Sequence, residues 1–142
     1  MFANGKRTVG VFISQLNDEF QDNLCKGITS RAKELDYNVA FLTNFGGYGQ
    51  LEFDLGEREI ARLPYYQDFD GIILAPDTFT IDKLNNNIKR FIEKYSHCPI
   101  VSVRRKMEGY HNVLIEDDNI LEEVITHLIE DHDFSRLNFL AG

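Results

Sequence analysis

Polar and aromatic side chains gather just past the ends of the apolar runs in this sequence. Ser14, Asn17, Phe20 and Gln21 follow the first run, Tyr48 the second, Asp77 the third, and Arg104 with Arg105 the fourth. Hydroxyl, amide, carboxylate and guanidinium groups orient a ligand through directed hydrogen bonds, and aromatic faces stack on it. Together they suit a small hydroxylated molecule such as a sugar. Each alone has an ordinary explanation as a loop or helix-start residue, and Phe20 also fits the apolar face of the helix that follows it. Their shared position at one edge singles them out as a group.

Other constellations are weaker. Gly46-Gly47-Tyr48-Gly49 could cradle a phosphate, because backbone amides in Gly-rich turns converge on anions. It lacks GxGxxG spacing, runs into Glu52 and Asp54, and has no GxxxxGK[ST] counterpart, so it reads as a loop. His127 and His132 are five apart, off the i, i+4 spacing that places two metal ligands on one helix face, and His97-Cys98 has no second pair. Solvated histidines are expected. Glu116-Asp117-Asp118 fits the start of a helix, where negative charge meets the dipole and Asp118 caps. A phosphoacceptor domain would need acidic residues where Ser14-Gln15 and Ala75-Pro76 stand. No GxSxG elbow or Cys–His arrangement of recognisable spacing appears. No catalytic residue, metal ligand or cofactor is therefore assigned, and the expectation is a protein that is not an enzyme.

The edge that would hold these residues follows from the periodicity. Thr8–Ile13 is a nearly continuous apolar run, as in a strand buried on both faces. From Glu19 to Leu35 the period becomes helical, through Phe20, Leu24, Ile28, Ala32 and Leu35, with Asn17 or Asp18 as cap. Strands follow at Asn38–Thr43, Gly71–Ala75, Pro99–Val103 and Val113–Ile115. A short helix is expected over Glu57–Leu63, and a longer one carries Ile81, Leu84, Ile88, Phe91, Ile92 and Tyr95. A last helix presents Leu121, Val124, Ile125, Leu128 and Ile129, before a strand over Leu137–Ala141. Strands alternating with helices predict an α/β, doubly wound, mainly parallel sheet. Ligands of such sheets bind beyond the carboxyl ends of the strands.

The 142 residues carry 15 basic and 23 acidic side chains, a net charge of −8. That balance disfavours nucleic-acid binding by this segment, which works through clustered Lys and Arg. No apolar run reaches the roughly 18–20 residues of a membrane span. Cys25 and Cys98 read as two small buried thiols in a reducing cytoplasm.

Several segments, in their order and spacing, resemble the effector-binding region of lactose/galactose-repressor-type (LacI/GalR) regulators, which is related to periplasmic sugar-binding proteins. They are Val9–Ser14; Gly27-Ile28 with Ala32 and Tyr37-Asn38-Val39; Asp70–Ala75; Pro99–Val103; Val113 through Asp118-Asn119; and His127-Leu128-Ile129 with Arg136–Gly142. The resemblance implies a Rossmann-like lobe of the periplasmic-binding-protein type, sensing a small-molecule effector between two lobes. It implies a loose N-terminus at 1–7, a first lobe at 8–116 and the start of a second lobe at 117–142. It places first-lobe ligand contacts at Ser14, Asn17, Phe20 and Gln21, at Ala75 to Asp77, and at Arg104. Arg104 stands where many members carry an Asp that binds sugar hydroxyls, which points toward an anionic ligand. The chain would then be about half of the family's sensing region, with the DNA-binding headpiece lying before residue 1. A homodimer in the cytoplasm is expected. The helix after Asp118 is expected to pack back on the first sheet or to swap into a second copy. The rival readings are a sensor lobe fused to a signalling enzyme such as a diguanylate cyclase or kinase, a flavodoxin-like or nucleotide-binding enzyme with phosphate at Gly46–Gly49, and a plain dimerisation module.

Overall fold

The computed structural model describes residues 4–44, 56, 59–79, 82–115 and 119–138, apart from the side chains of 82–85. Among the described residues five short strands form one sheet: β1 (Thr8–Phe12), β2 (Asn38–Leu42), β3 (Gly71–Leu74), β4 (Ile100–Val103) and β5 (His111–Val113). Every pairing is parallel and the order is β2-β1-β3-β4-β5. Among the described residues three α-helices have defined bounds, α1 (Glu19–Glu34), α2 (Asp82–Tyr95) and α3 (Ile120–Glu130), and they alternate with the strands or follow them. The expected alternation is thus present, and the short helix before Pro64 is a 3₁₀ turn at Glu59–Arg62.

The strands present alternate residues to two separate apolar layers. On one side Phe12, Leu42, Ile72 and Leu74 meet Tyr66, Phe69, Ile88 and Ile92. This layer is built on rings: Phe12 stacks on Tyr66 with centroids 5.7 Å apart, and Phe69 meets both edge-on. Burying each such side chain is worth about 1.5–3 kcal/mol, with about 0.5–1.5 kcal/mol more per well-placed ring pair. The Tyr66 hydroxyl donates to the Ala61 carbonyl at 2.6 Å, and burial pushes its pKa well up. On the other side Val11, Ile13 and Ala75 pack with Leu24, Cys25 and Ile28 of α1. Phe69 lies across β1 so closely that a β-carbon at Gly10 would stand 2.9 Å from its ring. Gly10 is therefore a packing requirement of the aromatic layer.

The helix α1 ends where a left-handed residue turns the chain. Asp36 takes φ 61°, the Tyr37 N–H donates to the Ala32 carbonyl at 2.8 Å and the Asp36 N–H to that of Lys33 at 3.3 Å. This paired closure satisfies the last carbonyls of the helix and delivers the chain to β2. At its start Asp18 is the boundary residue, but its side chain makes no bond to the helix backbone.

Four expectations shift. The fifth strand lies two residues early, at His111–Val113, and Leu114 and Ile115 are exposed. Cys25 and Cys98 are free thiols that are half-buried, and the burial they have raises both pKa values. Leu137 and Asn138 are not in a strand, and Phe139–Ala141 fall outside the described residues. The helix α3 does not pack back on the sheet: none of its residues is buried, and Leu121, Val124, Ile125 and Ile129 are exposed.

Gly10→Ala should lower unfolding free energy by about 1–3 kcal/mol, because the ring of Phe69 must move. Ile125→Ala, on the exposed α3, should change it by less than about 0.5 kcal/mol. Urea titration followed by far-ultraviolet circular dichroism of the two variants checks both.

Candidate functional site

The parallel ladder leaves backbone groups at its carboxyl edge that need new partners. Past β1 the Ser14 N–H donates to Thr78 Oγ1 at 2.9 Å, and Thr78 Oγ1 donates to the Ala75 carbonyl at 2.7 Å. The Ser14 hydroxyl donates to the Asn44 carbonyl at 3.4 Å, and the Gln15 N–H reaches the same carbonyl at 2.9 Å. Past β4 the Arg104 N–H donates to the Val113 carbonyl at 2.8 Å, and the Ser102 hydroxyl to that of Arg105 at 2.6 Å. These bonds tie the ends of β1, β2 and β3 to one another and the end of β4 to that of β5, along one rim. Gln15 and Arg104 sit on it in the left-handed region, at φ 54° and 68°.

Three of the sequence-selected side chains meet on this rim. Arg104 Nε stands 3.1 Å from Asp77 Oδ2, and the Arg104 guanidinium lies over the Phe20 ring at 4.5 Å from its centroid. The Arg104 side chain is 44% exposed and that of Asp77 28%, so the group faces solvent. The guanidinium plane is held by charge on one side and by a π face on the other. It has five N–H donors, and among the described residues the contact of Nε to Asp77 is its ion pair.

The remaining candidates divide. Ser14 is fully buried and Gln21 is 7% exposed, so both support the rim from beneath. Gln21 Nε2 donates to Asp18 Oδ2 at 3.3 Å, fixing the turn into α1. Asn17 is exposed on that turn. Arg105 diverges from Arg104 and lines a separate groove of about 450 Å³ with Asn86, Lys89, Lys106 and Glu108. Tyr48, the Gly46–Gly49 cluster and the Glu116–Asp118 run lie outside the described residues.

Two rim residues were not among the sequence candidates. Thr78 is buried and bridges β1 to the turn after β3. Asn44 is 5% exposed, and its Oδ1 has no hydrogen-bond partner among the described residues. A signal for both exists in retrospect: each is a polar residue within four positions of the last residue of a buried strand, where a backbone group needs capping.

A large apolar groove of about 560 Å³ lies elsewhere, along α1, lined by Val9, Leu24, Ile28, Leu35 and Ile73. Its surface is almost wholly apolar and its lining includes none of the rim residues named above, so it is not the polar site the sequence suggested. Among the described residues no group of three or more His, Cys, Asp or Glu side chains is placed to hold a metal ion, and no helix is long and apolar enough to cross a membrane.

No protein-family model matches the chain, and no curated protein does. Solved structures do. A LacI family transcriptional regulator, CCPA, from Weissella paramesenteroides with bound sucrose superposes with a TM-score of 0.63 at 14% identity, over 87% of this chain and 42% of that one. The same regulator with bound glucose gives a TM-score of 0.56 at 14% identity over the same shares. The likeness establishes the fold, a Rossmann-like lobe of the periplasmic-binding-protein type. The chain spans less than half the length of the regulator it matches.

Thr78→Val removes the acceptor of a buried N–H while nearly keeping the side-chain shape. It should cost about 1–3 kcal/mol, whereas Thr78→Ser should retain most of the stability. Thermal unfolding of the two variants beside the parent checks this.

Proposed function

We propose that this chain is the first ligand-sensing lobe of a LacI-type transcription regulator, and that its strand-end rim is one wall of a cleft for a small hydroxylated metabolite. The contact among Asp77, Arg104 and Phe20 carries the proposal. It places a hydrogen-bond acceptor, a planar donor and an aromatic edge on one exposed surface beyond the carboxyl ends of parallel strands. The fold is shared with regulators solved with sucrose and glucose bound, which fits the same class of ligand.

In this reading Phe20, Asp77, Arg104, Asn17 and Tyr48 contact the ligand, and Ser14 and Gln21 hold the rim in place. Asp77 already compensates the charge of Arg104. An anion would gain from the guanidinium and lose to the carboxylate, whereas a hydroxyl can donate to one and accept from the other. A neutral polyol therefore fits better than the anionic ligand suggested by Arg104 alone. Binding between this wall and a second lobe, begun by residues 117–142, would shift an open–closed equilibrium and pass the change to a DNA-binding output outside these residues. Such a regulator would be a cytoplasmic homodimer with no catalytic activity of its own.

Titration of the chain with glucose, sucrose and glucose 6-phosphate, followed by amide NMR shifts, tests the proposal. A neutral sugar should move the signals of Phe20, Asp77 and Arg104, and Arg104→Ala should weaken that response by about tenfold or more. Shifts confined to the α1 groove, an unaltered response in Arg104→Ala, or a response to the phosphate alone would overturn it.

A further inference from the structure

We propose that His127 and His132 form a chelating site for a divalent transition-metal cation at the carboxyl end of α3. Their separation of five residues puts them off one helix face, but the helix stops at Glu130 and the chain folds back. Asp133 adopts φ 53° and the Phe134 N–H donates to the Leu128 carbonyl at 3.1 Å. The return stacks His132 on Phe134, with centroids 5.9 Å apart, and brings His132 Nε2 to 3.1 Å from His127 Nε2. The ring centroids are 4.7 Å apart at an interplanar angle of 86°.

These distances have the dimensions of a two-imidazole bite. Two nitrogens each about 2.0–2.1 Å from a shared cation, at bond angles between square and tetrahedral, stand roughly 2.9–3.4 Å apart. The observed 3.1 Å lies inside that window. The tautomer of His127 is also set for it. His127 Nδ1 lies 2.5 Å from Asp131 Oδ2, so it carries the proton that the carboxylate accepts, and Nε2 keeps its lone pair. In the metal-free pair the 3.1 Å contact is a hydrogen bond from His132 Nε2–H to that lone pair. A cation bound at both Nε2 atoms needs His132 in its other neutral tautomer, so the proton on His132 Nε2 is exchanged through solvent for one on Nδ1 and both Nε2 lone pairs are left for the metal. Glu123 and Glu130 line the same open groove as His127, so the surroundings are acidic and favour a cation. Two nitrogen donors beside carboxylates suit nickel, copper or zinc, with copper and nickel held more tightly than zinc.

Calorimetric titration of the full chain with NiCl₂ and with ZnSO₄, alongside NMR of the imidazole ring protons, tests the site. One equivalent of nickel should bind, more tightly than zinc, and shift the His127 and His132 ring signals together. His127→Asn and His132→Asn should each weaken nickel binding by about tenfold or more, and Asp131→Asn, a positioning residue, by about tenfold. His97→Asn with His111→Asn should leave it unchanged. Because His127 and His132 are exposed, all variants should keep the helical circular dichroism of the parent. Nickel binding unaltered in His132→Asn, or no binding at millimolar nickel, would overturn the proposal and leave a proton-bridged pair only.

Discussion

A parallel strand that ends inside a protein abandons its backbone N–H and C=O groups in a place water reaches poorly, and each must find a new partner. In this chain β1 stops at Phe12. The Ser14 N–H then takes Thr78 Oγ1, and the Gln15 N–H takes the Asn44 carbonyl. Those two bonds tie the end of β1 to its neighbours on both sides. They are also what fixes the turn that leads into the first turn of α1, where Phe20 stands, and the turn on which Asp77 stands. The polar rim is thus a by-product of ending the ladder: partners that satisfy the backbone also aim the side chains.

Much of the sheet is legible in the sequence because burial on both faces forces near-continuous apolar runs. Thr8–Phe12 and Gly71–Leu74 announce themselves in this way. The edge strand does not. Val113, Leu114 and Ile115 look like a strand by composition, yet β5 pairs as Val101 with His111 and Ser102 with Asn112. Its position is set by local polar bonds, since the Asn112 side chain accepts from the Met107 N–H at 2.8 Å and donates to the Tyr110 carbonyl at 2.8 Å. Hydrophobic pattern carries no record of such bonds, so the register slipped by two residues.

The candidate site was legible to the same extent. Residue types and strand-end positions picked out Phe20, Asp77 and Arg104, but nothing local to any of them says that they touch. Contact depends on strand order: with β3 beside β1 and β4 beside β3, the ends of the first, third and fourth strands become neighbours. Once that order is in place, residues far apart in the chain share one edge. The burial of Ser14 and Gln21 was hidden for the converse reason. A polar side chain after a strand can face water or cap the ladder, and only the positions of Asn44, Thr78 and Asp18 decide which. His127 and His132 fall in this class too, since their meeting depends on a turn at Asp133 that helix periodicity cannot represent.

The rim also stores strain at two positions. Left-handed backbone costs roughly 1–2 kcal/mol for a residue with a β-carbon, and Asp or Asn bears it more readily than others. Asp36 and Asp133 are left-handed at helix exits, where that conformation closes the last turn. Gln15 and Arg104 have no such local compensation by residue type, and both lie on the rim. Each is held by its own N–H, Gln15 to the Asn44 carbonyl and Arg104 to the Val113 carbonyl. Strain of this kind persists only where surrounding bonds over-determine it, and such places concentrate at binding sites. Here its effect on Arg104 is specific. The reversed backbone turns the side chain back across the strand ends, where Asp77 and Phe20 clamp the guanidinium. An arginine on a relaxed loop would have to be ordered by its ligand, at roughly 0.5–1.5 kcal/mol for a side chain of that length. On this rim the ordering is done during folding, so a ligand bound as proposed would meet donors and acceptor already in place.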